Sequence, residues 1–289
     1  MLLILGLASY EGITGDVRHR ALMSSQRKGL AEELVRAKYH VLDDYPGECW
    51  PSDVLWSVAA IQRAAALEGT NHAELVKGLL SALNGPLSVD GLPAYKVDKD
   101  SAQVYEGPRG CGNSGILSFA AELDAPTAAR WYREHEKKFW KRNLWLAGVR
   151  ELPMGTRSSF CDVDSGPVAF EFGSVASAFG IGAAKSAGRM DHAAPLTLEA
   201  AACSWPTPFG FLLPAAMGRV AVGGGCLAET ALLFSMTRPN RAAETVPFSG
   251  PVPLTVWLML AAYAGTGALL IGIEARAWKR YLAARKRGL

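Results

Sequence analysis

Four loops built around a cysteine recur along this chain of 289 residues, and each opens a helix-like run rich in small residues. They read YPGECWPSD around Cys49, GPRGCGNSG around Cys111, SSFCDVDSGPV around Cys161 and VGGGCLAET around Cys226, spaced 62, 50 and 65 residues apart. The runs that follow are VLWSVAAIQRAAALE, ILSFAAEL, PVAFEFGSVASAFGIGAAK and LAETALLFSM. Between them stand longer or more polar helical candidates, SQRKGLAEELVRAKYH, NHAELVKGLLSAL and PTAARWYREHEKKFWKR. A recurring unit of this kind is the mark of a repeated supersecondary element. Alternating amphipathic and small-residue helices pack most simply as an outer ring facing water around an inner ring buried on most sides. The expectation is an all-α fold, an α/α toroid of helical hairpins. The opening MLLILGLASYEG reads as the end of a further inner helix, so the toroid is expected to be incomplete at its N-terminus.

In such a ring the inner helices all begin at one rim, and the four cysteine loops converge on one funnel mouth. Asp44, Glu48, Asp53, Glu106, Asp162, Asp164 and Glu229 fall in or beside these loops. Acid–base chemistry needs two groups in different environments, one held protonated and one ionised. Asp44 and Asp162 are the candidates for it, and Asp162 and Asp164 point the same way if their segment is extended. Asp53 reads first as a helix cap, and Asp164 or Ser165 reads equally well as a cap of the helix that follows. Cys49, Cys111 and Cys226 are expected at the rim with Glu229. A helix N-terminus acidifies a thiol, and small-residue packing is the competing reading.

Tyr45, Trp50, Trp56 and Tyr105 would give the mouth aromatic surface suited to a sugar ring or an alkenyl chain. The segment LPAYKVDKDSAQVYEG reads as a hairpin flap carrying Tyr95 and Tyr105, or as a plain loop. No C-x-x-C pair occurs, so no metal site is expected. VGGGCLAET lacks the lysine and the preceding strand of a phosphate loop. Outside the rim, His72, His135 and His192 read as surface residues of outer helices, and Cys203 as structural. Glu134 and Lys138 are spaced as a helical ion pair, and Asn71 as an N-cap.

PVPLTVWLMLAAYAGTGALLIGI, Pro251 to Ile273, runs 23 residues without a charge. That is long enough to cross a bilayer. The tail from Glu274 carries six basic residues against one acid, the pattern of a cytoplasmic flank. With a formal net charge of +3 on the whole chain, the body is left slightly acidic, without the basic stripe that nucleic acid requires. Residues 1–245 are expected to form the toroid domain. Residues 246–289 are expected to form a single transmembrane anchor with a basic tail. The body would then be extracytoplasmic, its export segments lying upstream. FGFLLPAAMGRVAVGGGCLAETALLFSM makes a poor second span, because it holds Arg219, Glu229 and three consecutive glycines.

The loops YPGECWPSD and CDVDSGPV, with the repeat, resemble the linalool dehydratase-isomerase family, and most closely its membrane-associated bacterial relatives carrying Asp-x-Asp-Ser-Gly-Pro-Val. The likeness covers roughly Leu2 to Arg238. It implies an α/α barrel that protonates and removes a tertiary or allylic hydroxyl without a cofactor. Asp44 and Tyr45 would match the family's first-loop acid and tyrosine, and Cys161 one member of its cysteine pair. No second cysteine follows nearby. On this reading Asp44, Tyr45, Cys161 and Asp162 are catalytic. Cys49, Trp50, Tyr105, Cys111, Asp164, Cys226 and Glu229 contact substrate. The partners expected are a small apolar substrate, the membrane and further copies of the chain. A glycan-active toroid, hydrolase or epimerase, and a non-catalytic binding module are the alternatives.

Overall fold

The computed structural model describes residues 1–156, 164–207, 210–212 and 226–286, with the backbone alone for 205–207, 210–212 and 226–229. Its helices are α1 (Leu2–Thr14), α2 (Arg20–Arg36), α3 (Pro51–Leu67), α4 (Ala73–Asn84), α5 (Gly110–Leu123), α6 (Ala125–Phe139), α7 (Ser174–Ser186), α8 (Met190–Ala202), α9 (Cys226–Met236) and α10 (Leu254–Lys286).

The chain is mostly helical, and its helices fall into two kinds. Every residue of α5 from Gly110 to Ala120 is buried, as in a helix surrounded by protein. The next helix, α6, buries Ala128, Trp131, Tyr132, His135 and Phe139, the stripe of a helix with one inward face. Its start is fixed by Asp124, whose carboxylate accepts the Thr127 N–H at 2.8 Å, and by a proline in the first turn. In the same way α4 buries Leu75, Val76, Leu79, Leu80 and Leu83. Packing follows this alternation. Helix α3 lies against α1 and α5, α5 against α7, and α7 against α9, while α4, α6 and α8 each pack on the helix before them. Gly110 makes the entry to α5 possible, since a Cβ there would sit 1.9 Å from the Arg150 carbonyl oxygen.

The C-terminal ends of the buried helices are tied by charge. Arg63 of α3 makes two bonds to Glu122 of α5, at 2.7 and 2.5 Å. Arg238, just past α9, pairs with the same carboxylate, and its guanidinium lies over the rings of Phe119 and Phe234.

The connections add short strands that the all-α expectation did not include. Two-stranded antiparallel ribbons fill them among the described residues: β1 (Ser88–Val89) with β2 (Leu92–Pro93), β3 (Lys96–Val97) with β4 (Val104–Glu106), β5 (Trp140–Arg142) with β6 (Ala147–Val149), β7 (Val168–Ala169) with β8 (Phe172–Gly173), and β9 (Trp205–Thr207) with β10 (Gly210–Leu212). A connection that crosses packed helices must satisfy its own N–H and C=O groups, and pairing on itself does so. The β3–β4 ribbon is the expected hairpin, its turn held by Asp98, which accepts the N–H groups of Asp100 and Ser101.

Three further expectations change. His135 and His192 are not surface residues: they are 3% and 5% exposed. They fill the seams of α6 with α5 and α8. His135 Nε2 lies 3.1 Å from Ser114 Oγ, His192 Nδ1 lies 2.9 Å from Tyr132 Oη, and Trp140 stacks on His192. Burial pushes His135 down to about 3 and His192 to about 4. Glu134 pairs with Lys137, one residue short of the expected Lys138, which reaches Asp90 instead. Asn71 is not the N-cap of α4: His72 holds that position, and the Asn71 side chain one residue earlier accepts the Ala73 N–H at 3.1 Å.

Among the described residues α10 is the one helix long and apolar enough to cross a membrane. That fits a single C-terminal anchor.

Candidate functional site

The N-terminal turns of α3, α5 and α7 meet at one cavity of about 460 Å³. Ser52, Asp53 and Trp56 come from α3, Cys111 and Gly112 from α5, Val175 and Phe179 from α7. The first cysteine loop adds Asp44, Tyr45 and Trp50, the chain just before β3 adds Tyr95, and the loop before α7 adds Asp164. Convergence of loops that lie far apart in sequence is what the repeat predicted.

Three carboxyl groups therefore share one concave space. Asp53 lies in the first turn of α3, half-buried, and its side chain makes no hydrogen bond among the described residues. It is not the cap expected of it. Trp50 holds the cap position, without a side-chain bond, and Pro51 starts the helix. Burial, reinforced by the charges of Asp44 and Asp164, pushes Asp53 up to about 6. Asp164 likewise caps nothing, since Gly173 precedes α7. It accepts the Tyr95 hydroxyl at 2.7 Å. Asp44 sits at the mouth, accepting the Trp50 N–H at 3.3 Å. Partial withdrawal from water pushes it up, against the pull of that bond.

Behind the cavity wall lies a chain of contacts that no sequence signal announced. Cys111, 5% exposed, donates its thiol to Glu151 Oε1 at 3.0 Å, and Glu151 is itself 1% exposed. Arg109 binds the same oxygen at 2.7 Å and lies over the Tyr95 ring, 4.2 Å from its centre. The buried carboxylate is thus matched by a buried guanidinium, as it must be. This network fixes the Cys111 thiol from one side and the Tyr95 ring from the other. Burial holds the Tyr95 hydroxyl well above the usual phenol range, so it stays a proton donor to Asp164. Gly112 is required here because a Cβ would come within 2.9 Å of that ring.

The mouth is aromatic. Tyr45, 68% exposed, meets Trp50 edge-on with ring centres 6.0 Å apart, and Lys96 lies over Trp50 while pairing with Glu48.

Of the residues expected from sequence, Asp44, Tyr45, Trp50, Cys111 and Asp164 come together here. Two do not. Cys49 is fully buried in the hydrophobic core, its carbonyl accepting the Val97 N–H, and burial pushes its thiol up to about 12. It packs rather than reacts. Tyr105 is half-exposed on β4, its hydroxyl directed to Asp98 at 3.4 Å, because the hairpin turns it away from the cavity, while Tyr95, just before β3, lines the cavity. Cys161 and Asp162 lie outside the described residues, as do the side chains of Cys226 and Glu229. Among the described residues no group of three His, Cys, Asp or Glu side chains is placed to hold a metal ion.

No family model and no curated protein matches this chain.

Proposed function

We propose that this cavity is an acid–base site that removes or relocates the hydroxyl of an apolar alcohol without a cofactor. The observation that carries the reading is Asp53, a half-buried carboxyl pushed up to about 6 beside an Asp164 that accepts the Tyr95 hydroxyl. Proton transfer in both directions requires two carboxyls in different environments, and the half-buried Asp53 and the Tyr95-bonded Asp164 differ in that way. Asp53 gives its proton to the hydroxyl as the C–O bond breaks and water leaves. Asp44 or Asp164 takes a proton from the neighbouring carbon as the C=C bond forms. Returning that proton to Asp53 restores the site, and the reaction is redox-neutral. Trp50, Trp56, Phe179 and Tyr45 supply the apolar and aromatic surface that such a substrate needs.

The resemblance to the linalool dehydratase-isomerase family supports the same chemistry, with Asp53 added to Asp44 and Tyr45, and with Cys161 and Asp162 in assisting roles. In this reading α1, α3, α5, α7 and α9 are inner staves of an α/α toroid. Helix α10 anchors the body on the outer side of the membrane, and the basic residues from Arg276 to Arg287 hold the tail on the cytoplasmic side. The three acids on one aromatic cavity also favour a second reading, hydrolysis of a glycoside by a carboxylate pair.

The test is turnover by the purified full chain in detergent. A panel of apolar tertiary and allylic alcohols is assayed by gas chromatography for dehydrated or isomerised product, and aryl glycosides for release of the aryl group. Product from an alcohol, abolished by Asp53→Asn, supports the proposal. Glycoside cleavage abolished by the same change replaces it with the second reading. Turnover of an alcohol that survives both Asp53→Asn and Asp44→Asn sinks the acid–base assignment.

A further inference from the structure

A second cavity lies behind α7, on the side away from the first. It measures about 410 Å³ and is lined by Phe170, Phe172, Ala178, Ile181, Leu196 and Glu199 among others. Its volume is that of a small-molecule site, and its wall is almost wholly apolar. What distinguishes it is its position against α10. One wall is the C-terminal half of α8, which packs on α10. The root of α10 is pinned there: Leu254 N–H donates to the Leu144 carbonyl at 3.0 Å and Thr255 Oγ1 to the Trp145 carbonyl at 2.7 Å. Tyr263 donates its hydroxyl to the Ser204 carbonyl at 3.0 Å.

Depth follows from helix geometry. Tyr263 stands nine residues past Leu254, roughly 14 Å along the axis at about 1.5 Å per residue. Leu254 to Ile273, the uncharged part of the helix, measures roughly 30 Å, the full hydrocarbon thickness. A helix that uses this whole length to cross therefore carries the end of α8 down beside it into the hydrocarbon. The surface around the root is made for such a place. Leu144 and Trp145 are 59% and 54% exposed, and Phe170 is 81% exposed. Phe170 and Glu171 form the two-residue turn of the β7–β8 ribbon, both at positive φ, 52° and 73°. Glycine or asparagine usually takes those positions; here the turn holds a phenyl ring outward, exposed beside the mouth of the cavity it helps to line.

We infer that this cavity opens sideways into the bilayer and takes an aliphatic chain of a membrane lipid, with Glu199 facing the chain's polar end. Glu199 accepts the Ala147 N–H at 2.9 Å and lies 3.4 Å from the Thr255 hydroxyl. Burial pushes it up to about 7, which suits a carboxyl that must stay neutral beside lipid. The inference rests on α10 crossing the membrane and not on the chemistry at the first cavity.

The experiment uses the full chain in phosphatidylcholine vesicles doped with a phosphatidylcholine carrying a diazirine near the end of one acyl chain. After irradiation, labelled positions are read by peptide mass spectrometry. Label is expected on α10 and, in addition, on Phe170, Ile181 or Leu196. Ala178→Leu and Ala200→Leu each fill the cavity from a half-buried position. In whichever of them keeps its thermal melt, the cavity label is lost while the α10 label stays. Wild-type label on α10 alone overturns the cavity and leaves the anchor. Label on neither overturns both. Cavity label that persists in the filled variants means contact at the outer surface, and overturns the site.

Discussion

Asp53→Asn should stabilise this protein at alkaline pH and hardly at all in acid. The carboxyl is pushed from 3.8 to about 6, a change of about two pKa units, which corresponds to roughly 3 kcal/mol once the group is ionised in both states. Because the folded pKa is the higher one, the fold favours the protonated acid. The contribution is present below pH 3.8 and lost as pH rises through about 6. Asparagine has the same shape and forfeits no side-chain hydrogen bond among the described residues. It does lose the attraction of a carboxylate for the first turn of α3, about 0.5 kcal/mol. The net gain at pH 8 is then about 2 kcal/mol, or roughly 6 °C in Tm for a chain of this size. At pH 4 most of it is gone. Thermal melts of both proteins in one detergent, followed by circular dichroism from pH 4 to 8, give the difference directly, and terms from titrating groups remote from Asp53 cancel. Equal Tm at pH 8, or the same gain at both ends, would show that Asp53 is an ordinary surface acid, and the general-acid role would fall with it.

Other outcomes follow from the same packing. His135 and His192, held at about 3 and about 4, remain neutral in the fold and protonate in the unfolded chain. Stability contributed above pH 6.5 is therefore lost on acidification, by at most about 2 kcal/mol from each at pH 5. Replacing both with glutamine should flatten that limb of the melt profile, and an unchanged profile would refute it. Glu122→Ala leaves Arg63 and Arg238 facing each other at the closed end of the helices, and should cost about 3–5 kcal/mol in denaturant unfolding. A loss within error of a surface substitution would mean that the cluster is solvated. Tyr95→Phe removes the donor to Asp164 and should cost about 1 kcal/mol. If that hydroxyl orients the base, turnover of the true substrate should fall far more than stability does.

The framework was legible because it is periodic. Small-residue runs and amphipathic runs alternate, and α3, α5 and α6 fall where the patterns put them. The site was legible in part, because the cysteine loops mark the starts of α3 and α5, which meet with that of α7 at one cavity. Asp53 was misread since an acid in a first turn is ordinary capping chemistry in isolation. Only the cavity buries it and brings Asp44 and Asp164 near enough to reinforce the rise. Glu151 follows a ribbon strand and carries no local signal, and its partners Cys111 and Arg109 lie some 40 residues away. The histidines were misjudged because a polar outer helix still has an inward stripe, and His135 stands on it. Tyr95 and Tyr105 could not be told apart because the register of a short hairpin decides which of the two turns inward.

A structure of the full chain with a bound, slow-reacting apolar alcohol tests the central claim most directly. The account predicts the hydroxyl within hydrogen-bond distance of Asp53, the chain against Trp50, Trp56 and Phe179, and the Asp164–Tyr95 pair intact beside it. An alcohol bound elsewhere, or one whose hydroxyl faces none of the three carboxyls, would contradict it.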